Sequence, residues 1–219
     1  MAKTTGKSGN GSETPKSDNS VVGVAPDSEN KAMNILIVGV GGQGVVLASA
    51  ILSEVALSAG YDVKKSEVHG MSQRGGVVSS HVRIGQKVFS PLIPNGRADV
   101  ILAFEQAEGL RWVHELKPGG WMITNAQKLV PPIAVDKKYH YPEDALQQLK
   151  KRADNLHVLD AAEMAESLGN VRLANTVLLG ALSKALKIDE KVWREVISRR
   201  VPKGTAEANL KAFEAGKEK

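Results

Sequence analysis

Cysteine is absent from this 219-residue chain, and that absence limits the chemistry that the protein can carry out alone. Without thiolates the chain forms no disulfide framework, and it offers no sulfur ligand to an iron–sulfur cluster or to zinc. The lack of disulfides is typical of a reducing compartment, so we expect a cytoplasmic protein. No apolar run reaches the roughly 18 residues that a membrane-spanning helix needs.

Aromatic residues are also few, at 4% of the chain, and the formal net charge is a modest +5. The basic residues are dispersed and aromatic residues are scarce, which argues against a nucleic-acid-binding surface. A moderate positive excess instead suits phosphorylated ligands or an acidic protein partner.

The first 32 residues differ in composition from the rest of the chain. They are mostly Gly, Ser, Thr, Asn, Lys and Pro, and their lysines balance their acids, so the positive excess belongs to the remainder. They contain no apolar segment typical of a secretory signal and no arginine, which a transit peptide would have. We expect a disordered N-terminal extension over 1–32, a single domain over 33–216 and a short tail over 217–219.

Strand and helix patterns alternate along residues 33–216. The apolar run 35–38 ends in glycines, as a strand buried on both faces does, and it is followed by a helix from Val45 to Gly60 and a second strand over 61–68. Residues 77–84 alternate and, with 88–93, predict a β-hairpin insertion. Together the patterns predict a three-layer α/β fold, Rossmann-like, with a mostly parallel sheet, the hairpin insertion and C-terminal helices.

The glycines after the first strand form a motif. Gly39, Gly41 and Gly44 satisfy G-x-G-x-x-G between a strand and a helix, where backbone amides can approach a phosphate. Glu67 follows at about the separation of a ribose-binding acid, which would indicate an NAD-dependent dehydrogenase. Another phosphate, a subunit contact, or close strand–helix packing alone would also explain the glycines, although Gln43 at the helix tip favours a ligand or an interface.

The segment "SEVHGMSQRGG" follows the second strand and is the other candidate site. Arg74 with the amides of Gly75 and Gly76 would form an anion pocket, and the alternative is a tight loop in which Arg74 pairs with Glu67. No metal-ligand spacing, nucleophile elbow or P-loop is found, so no catalytic residue and no metal is assigned. The candidate ligand- or interface-binding residues are Gly39, Gly41, Gly42, Gln43, Gly44, His69, Gly70, Ser72, Gln73, Arg74, Gly75 and Gly76.

The motifs "GVGGQGV", "SEVHGMSQRGG", "SHVRIG", "ADVILAFE" and "NTVLLGAL" occur in this order over most of the chain. In these motifs the chain resembles the γ domain of the 2-oxoacid:ferredoxin oxidoreductases, and it is most similar to their indolepyruvate branch. The long N-terminal extension departs from the compact pattern of that family.

The resemblance implies an oxidoreductase subunit that is active only with a large subunit. That partner would hold thiamine diphosphate, Mg and the iron–sulfur clusters, pass electrons to ferredoxin and use coenzyme A as co-substrate, while this chain would bind no cofactor alone. The missing cysteines agree with this division. The choice of 2-oxoacid stays open, as does the division of the loop residues between coenzyme A and the partner, and a non-enzymatic regulatory binding module remains a further alternative.

Overall fold

The structure, a computed structural model, describes residues 32–69, 76–130 and 140–219, and six strands in these ranges form one mixed sheet. The predicted N-terminal extension therefore lies outside the described residues, apart from Ala32. The strands are β1 (Met33–Val40), β2 (Asp62–His69), β3 (Val77–Gly85), β4 (Ala98–Ala103), β5 (Leu116–Asn125) and β6 (Asn155–Leu159). The helices are α1 (Val45–Ser58), α2 (Gln106–Trp112), α3 (Ala145–Arg152), α4 (Ala161–Ser167), α5 (Ala174–Ser183), α6 (Glu190–Arg200) and α7 (Ala206–Glu218).

The strand order across the sheet is β2-β3-β1-β4-β5-β6. Strands β1, β4, β5 and β6 pair in parallel, whereas β3 runs antiparallel to both β1 and β2. The carboxyl ends of the four parallel strands therefore lie at one edge of the sheet, and β3 begins at that same edge.

Helices cover both faces of the sheet, which confirms the predicted three layers. Alternate residues of β1 are fully buried on opposite faces: Ile35 and Ile37 pack with α1, α5, α6 and α7, and Leu36 and Val38 pack with the side of α2 and α3. A strand buried on both faces reads as a continuous apolar run, which is why the sequence identified β1. None of the helices in the described ranges is long and apolar enough to cross a membrane.

The predicted hairpin was correct in its first strand and wrong in its second. Residues 88–93 form no strand, and β3 instead pairs with β2 and with β1 along its length. Pro91 has no backbone N–H to donate to a neighbouring strand, and the N–H of Val88 donates to Asp62 Oδ2 at 2.8 Å. These two positions are therefore not available for strand pairing. The hairpin of the fold is therefore β2–β3.

Side chains cap the starts of α4 and α6, whereas α7 begins without such a cap. The Asp160 and Asp189 carboxylates accept hydrogen bonds from the first-turn amides of α4 and α6, at 2.9 and 2.8 Å. Thr205 precedes α7, but its hydroxyl donates to the carbonyl of Pro202 and makes no cap bond. The predicted tail begins inside α7, which continues to Glu218.

Helices α5 and α7 cross in backbone contact through two glycines. A Cβ atom on Gly180 would overlap the carbonyl oxygen of Phe213, and one on Gly216 would overlap that of Val177. This close approach buries α5 and fixes the start of α7 beside the start of α5, where both contribute to the site described next.

Candidate functional site at the carboxyl edge of the sheet

The glycine loop between β1 and α1 brings backbone amides to the carboxyl edge of the sheet. Gly44 is the residue before α1 and adopts φ 89°, and Gly42 adopts φ 101°, conformations that favour glycine. The helix begins its bonding at Ala48, whose N–H donates to the Gly44 carbonyl at 2.9 Å, so the preceding amides of its first turn point out of the helix. Because that first turn contains no acidic side chain, the N-terminal end of α1 is suited to binding an anion.

Gln43 joins the ends of two strands. Its Oε1 accepts a hydrogen bond from the Val40 N–H at 2.8 Å, and its Nε2 donates to the Phe104 carbonyl at 3.0 Å. The preceding rung of the β1–β4 ladder is a direct bond, from Phe104 N–H to the Val38 carbonyl at 2.9 Å. The carboxamide of Gln43 thus takes the place of the next rung, at the point where the strands separate.

Gly39 makes room for this insertion. A Cβ atom on Gly39 would lie 2.9 Å from Gln43 Oε1, from Phe104 Cβ and from Val45 Cγ2, which is too close for any of them. Close packing therefore accounts for Gly39. It does not account for Gly42, which has no atom within 4 Å of its Cβ position.

The second candidate loop ends beside the first. The register pairs His69 with Val78 and Val40 with Val77, and the Gly41 N–H donates to the Gly76 carbonyl at 2.8 Å. The connection from β2 to β3 therefore leaves the sheet one strand away from β1, at the same edge, and re-enters it at Gly76 next to the glycine loop. The side chain of His69 and the candidates Gly70, Ser72, Gln73, Arg74 and Gly75 lie outside the described residues, so their contacts stay predictions.

Glu67 does not occupy the position expected of a ribose-binding acid. Its Oε1 accepts hydrogen bonds from Ser49 Oγ at 2.9 Å and from Lys65 Nζ at 2.7 Å, which ties it to the second turn of α1 and to its own strand. Strand β3 separates β2 from β1, so Glu67 is not on the strand next to the glycine loop. Glu67 therefore does not support the interpretation of the glycine motif as a dinucleotide-binding site.

A cavity of about 540 Å³ opens beside the glycine loop at the carboxyl ends of β1, β4 and β5. Its walls come from the start of α1, from the turn before α5 and from the α6–α7 connection. Arg172 supplies a positive charge, and no carboxylate is found among the described residues that line it. The carboxamides in its lining belong to Gln43, Asn125, Gln127, Asn170, Asn175 and Asn209.

Hydrogen bonds fix the polar wall on the α5 and α7 side. Thr176 Oγ1 donates to Asn209 Oδ1 at 2.7 Å, and Asn209 Nδ2 donates to the Thr205 carbonyl at 2.9 Å. Asn175 Nδ2 lies 2.9 Å from the Cβ position of Gly44, so this wall touches the glycine loop. A side chain larger than glycine at position 44 would push into the cavity wall.

Sequence reasoning missed most of these cavity residues. Asn125 follows directly from a buried strand, as polar site residues of α/β folds often do, and this signal could have been used. The Asn125 side chain is structural as well, since its Nδ2 donates to the Phe104 carbonyl at 3.3 Å and its Oδ1 accepts from the Ala161 N–H at 3.0 Å. Arg172 and Asn175 lie in a mainly apolar stretch whose local pattern indicates a helix and no site.

The carboxylates near this edge support the fold. Glu105 is 1% exposed, accepts from the N–H groups of Glu108 at 3.0 Å and Leu129 at 3.3 Å, and accepts from the Tyr141 hydroxyl. Burial raises the pKa of Glu108, and the nearby Glu105 charge adds to the rise, although Arg111 at 3.1 Å opposes it. The described residues hold no group of three His, Asp or Glu that could bind a metal.

Comparison with known proteins gives consistent matches over this fold. Residues 34–219 match the family described as pyruvate ferredoxin/flavodoxin oxidoreductase. Indolepyruvate oxidoreductase subunit IorB of Thermococcus kodakarensis is 43% identical over 194 residues, covering 85% of this chain and 95% of the relative. The subunit of the same name from Archaeoglobus fulgidus is 39% identical over 192 residues, covering 84% and 93%.

Two solved structures share the fold. The gamma subunit of a keto/oxoacid ferredoxin oxidoreductase from Geobacter sulfurreducens has a TM-score of 0.63 and 26% identity, covering 85% of this chain and 96% of that one. A 2-oxoglutarate:ferredoxin oxidoreductase from Magnetococcus marinus, solved with 2-oxoglutarate, coenzyme A and succinyl-CoA bound, has a TM-score of 0.66 at 21% identity, covering 86% of this chain and 31% of that one. The second match concerns the fold alone.

Proposed function

Because this chain belongs to the pyruvate ferredoxin/flavodoxin oxidoreductase family, we propose that it is the cluster-free subunit of an indolepyruvate:ferredoxin oxidoreductase. The observation that carries this proposal is the similarity to relatives named as indolepyruvate oxidoreductase subunits, which extends over more than nine-tenths of their length. The proposal places the chain in the cytoplasm as part of a larger complex.

The absence of cysteine supports a division of labour between two subunits. Iron–sulfur clusters need thiolate ligands, so electron transfer to ferredoxin belongs to a large partner subunit. The same partner would hold thiamine diphosphate and Mg. This chain would bind no cofactor alone and would serve as the domain over 33–216 that docks on the partner.

The reaction of the complex has three parts. Thiamine diphosphate on the partner would supply the decarboxylation of the arylpyruvate, the clusters would carry the two electrons of the oxidation to ferredoxin, and the sulfur of coenzyme A would take the acyl group. The products would be an aryl-acetyl-CoA, carbon dioxide, a proton and ferredoxin reduced by two electrons in total. The chain described here would contribute binding to the last part, since coenzyme A brings phosphates and amides.

The carboxyl edge of the sheet has the chemistry that such a ligand needs. The amides at the start of α1 and the Arg172 guanidinium favour phosphate, and the carboxamides around the cavity suit the amide groups of the pantetheine arm. In this proposal Arg74, Gln73 and His69 face the cleft shared with the partner, beside Gly41, Gly42 and Gly44. Gln43 holds the strand ends apart beneath them.

The experiment combines the purified chain with its large subunit and follows coenzyme-A-dependent reduction of a viologen dye by indolepyruvate. We expect the large subunit alone to be inactive or nearly so, and full activity on adding this chain. Arg74→Ala should lower turnover of the complex or raise its KM for coenzyme A by about tenfold, with little loss of folding stability. Equal activity of the large subunit alone would show that the assigned role is wrong.

A γ subunit for another 2-oxoacid is the second candidate. A 2-oxoglutarate synthase subunit KorC of Methanothermobacter thermautotrophicus is 33% identical over 192 residues, so the fold serves more than one substrate class. The same assay run with phenylpyruvate, pyruvate and 2-oxoglutarate distinguishes the candidates, because the preferred acid should have the highest kcat/KM. A stand-alone NAD-dependent dehydrogenase would require turnover by this chain without a partner.

A further inference from the structure

Two large apolar side chains are exposed at the end of β1 opposite to the glycine loop. Phe89 is 80% exposed and Leu92 is 56% exposed, and both lie in the connection between β3 and β4. We call Lys87, Phe89, Leu92 and Arg97 the Phe89 surface. Single exposed apolar side chains are common on protein surfaces, but large ones that lie close together in one segment are a feature of interaction sites.

The backbone beneath the Phe89 surface is held in place at several points. The Val88 N–H donates to Asp62 Oδ2 at 2.8 Å, Arg83 Nη1 donates to the Ser90 carbonyl at 3.0 Å, and the Ile93 N–H donates to His81 Nδ1 at 3.3 Å. Val88 and Ile93 are buried, at 3% and 6% exposure, which turns their neighbours Phe89 and Leu92 outward. The two exposed side chains are thus presented in a preorganised arrangement.

The N-terminal part of the chain joins the fold beside this surface. The Cα of Ala32 lies 3.2 Å from the Cβ position of Gly85, and Val88 Cγ2 lies 3.5 Å from the same point. Asn34, two residues on, accepts from Arg83 Nε at 2.8 Å, and Arg83 also bonds the carbonyl of Ser90. Ala32 therefore lies beside the β3–β4 connection that carries Phe89, and each preceding residue adds at most about 3.3 Å to the reach of the chain.

The preceding sequence has the complementary chemistry. Its apolar run is "VVGVAP" at 21–26, followed by Asp27 and Glu29. On the Phe89 surface, Lys87 lies over the Phe89 ring at 5.2 Å, and within the described residues neither Lys87 nor Arg97 has a carboxylate partner. The matched family region begins at residue 34, so this segment is additional to it.

From these observations we infer that residues 21–29 bind the Phe89 surface of their own chain. Val21, Val22 and Val24 cover the Phe89 and Leu92 side chains, and Asp27 and Glu29 lie near Lys87 and Arg97. Two residues, Asn30 and Lys31, separate this segment from Ala32, and so short a tether gives the segment an effective concentration on the order of millimolar, which favours it over a second copy or a separate protein.

The test uses the full-length chain, in which introduced cysteines are the only thiols because the natural sequence has none. Val22→Cys combined with Ser90→Cys is oxidised under mild conditions at micromolar protein, and the disulfide is quantified by mass spectrometry. We expect bond formation within one chain at least ten times faster than in the pair Val22→Cys with Ser198→Cys, whose second position is exposed on α6.

Two further variants separate binding from simple proximity along the chain. Adding Phe89→Ser and Leu92→Ser to the double-cysteine chain should slow bond formation about tenfold, whereas Val171→Ser, at a valine exposed as much as Leu92, should leave the rate unchanged. A rate insensitive to Phe89→Ser and Leu92→Ser overturns the inference.

Disulfides formed mainly between chains would instead assign the surface to a second copy. Protection of the thiol introduced by Ser90→Cys only on adding the large subunit would assign the surface to that partner, and either result overturns the inference as well.

Discussion

Replacing Gln43 tests whether its carboxamide stabilises the sheet by bridging the Val40 N–H and the Phe104 carbonyl. Gln43→Leu keeps the approximate size of the side chain but removes the acceptor for the Val40 N–H and the donor to the Phe104 carbonyl. Val40 and Phe104 are 3% and 2% exposed, so water cannot easily replace either bond. We expect the variant to fold with reduced stability.

The magnitude follows from the two backbone groups that lose a partner. The Val40 N–H is left unpaired, and a buried group without a partner costs about 1–3 kcal/mol. The Phe104 carbonyl keeps a longer bond from Asn125 Nδ2, at 3.3 Å, so its contribution is smaller. Together they predict a loss of about 2–3 kcal/mol in the free energy of unfolding.

Gln43→Glu tests the donor separately, because a carboxylate accepts from the Val40 N–H but opposes the Phe104 carbonyl. Protonation restores a donor, so the pKa of the new carboxyl should be higher in the folded than in the unfolded chain. A raised folded pKa means that stability is present below the unfolded pKa and is lost above it. The stability of this variant should therefore fall as the pH rises through about 4.3.

Urea unfolding followed by circular dichroism measures both variants against the natural chain. Ser198→Ala on the exposed side of α6 is the control and should change the free energy by less than about 0.5 kcal/mol. If the strands simply closed, the Val40 N–H would bond the Phe104 carbonyl directly and Gln43→Leu would also cost less than about 0.5 kcal/mol. That result would refute the argument that Gln43 replaces a rung.

Three other substitutions probe the elements around the site, each by urea unfolding. Glu105→Ala should cost about 2–3 kcal/mol, because a cap and the Tyr141 hydroxyl both lose a buried acceptor, and an unchanged midpoint would contradict the capping role. Burial raises the pKa of Glu108, which penalises the ionised form, so Glu108→Gln should gain stability relative to the natural chain as the pH rises above about 4.3; a pH-independent difference would contradict it. Gly180→Ala should cost more than about 3 kcal/mol, because its new methyl group meets the backbone of α7, while Lys211→Ala on the exposed side of α7 should cost little; equal costs would contradict the close crossing of α5 and α7.

The central strands could be predicted from the sequence because their signals are local. A run buried on both faces, as in Ile35–Val38, needs no knowledge of its partners to be read as a parallel strand. The pairing of β3 was not local. The rule that nearby alternating segments form hairpins favoured residues 88–93, only three residues beyond 77–84, whereas the actual partner β2 lies before β3 across the longer connection "HGMSQRGG". Pro91 was the signal that could have decided between them.

The candidate site was predicted in part for the same reason. The glycines around Gln43 follow a spacing rule, but the use of its carboxamide depends on the separation of β1 from β4, which no local pattern encodes. Arg172, Asn175 and Asn209 reach the cavity only because α5 and α7 cross in backbone contact. Residues that are brought together by long-range packing show no periodic pattern in the sequence, so their shared site cannot be predicted from local signals.

The antiparallel strand β3 explains why two motifs far apart in the sequence can act together. In an all-parallel sheet the strand next to β1 would begin at the amino edge, and the connection leading into it would lie away from the glycine loop. Because β3 runs in the opposite direction, it begins at the carboxyl edge, and the β2–β3 connection ends beside Gly41, whose N–H bonds the Gly76 carbonyl. The departure from a regular doubly wound fold is therefore what brings the end of this connection, at Gly76, next to the glycine loop before α1. That proximity, more than the glycine spacing itself, favours a binding edge shared with a partner over a dinucleotide site.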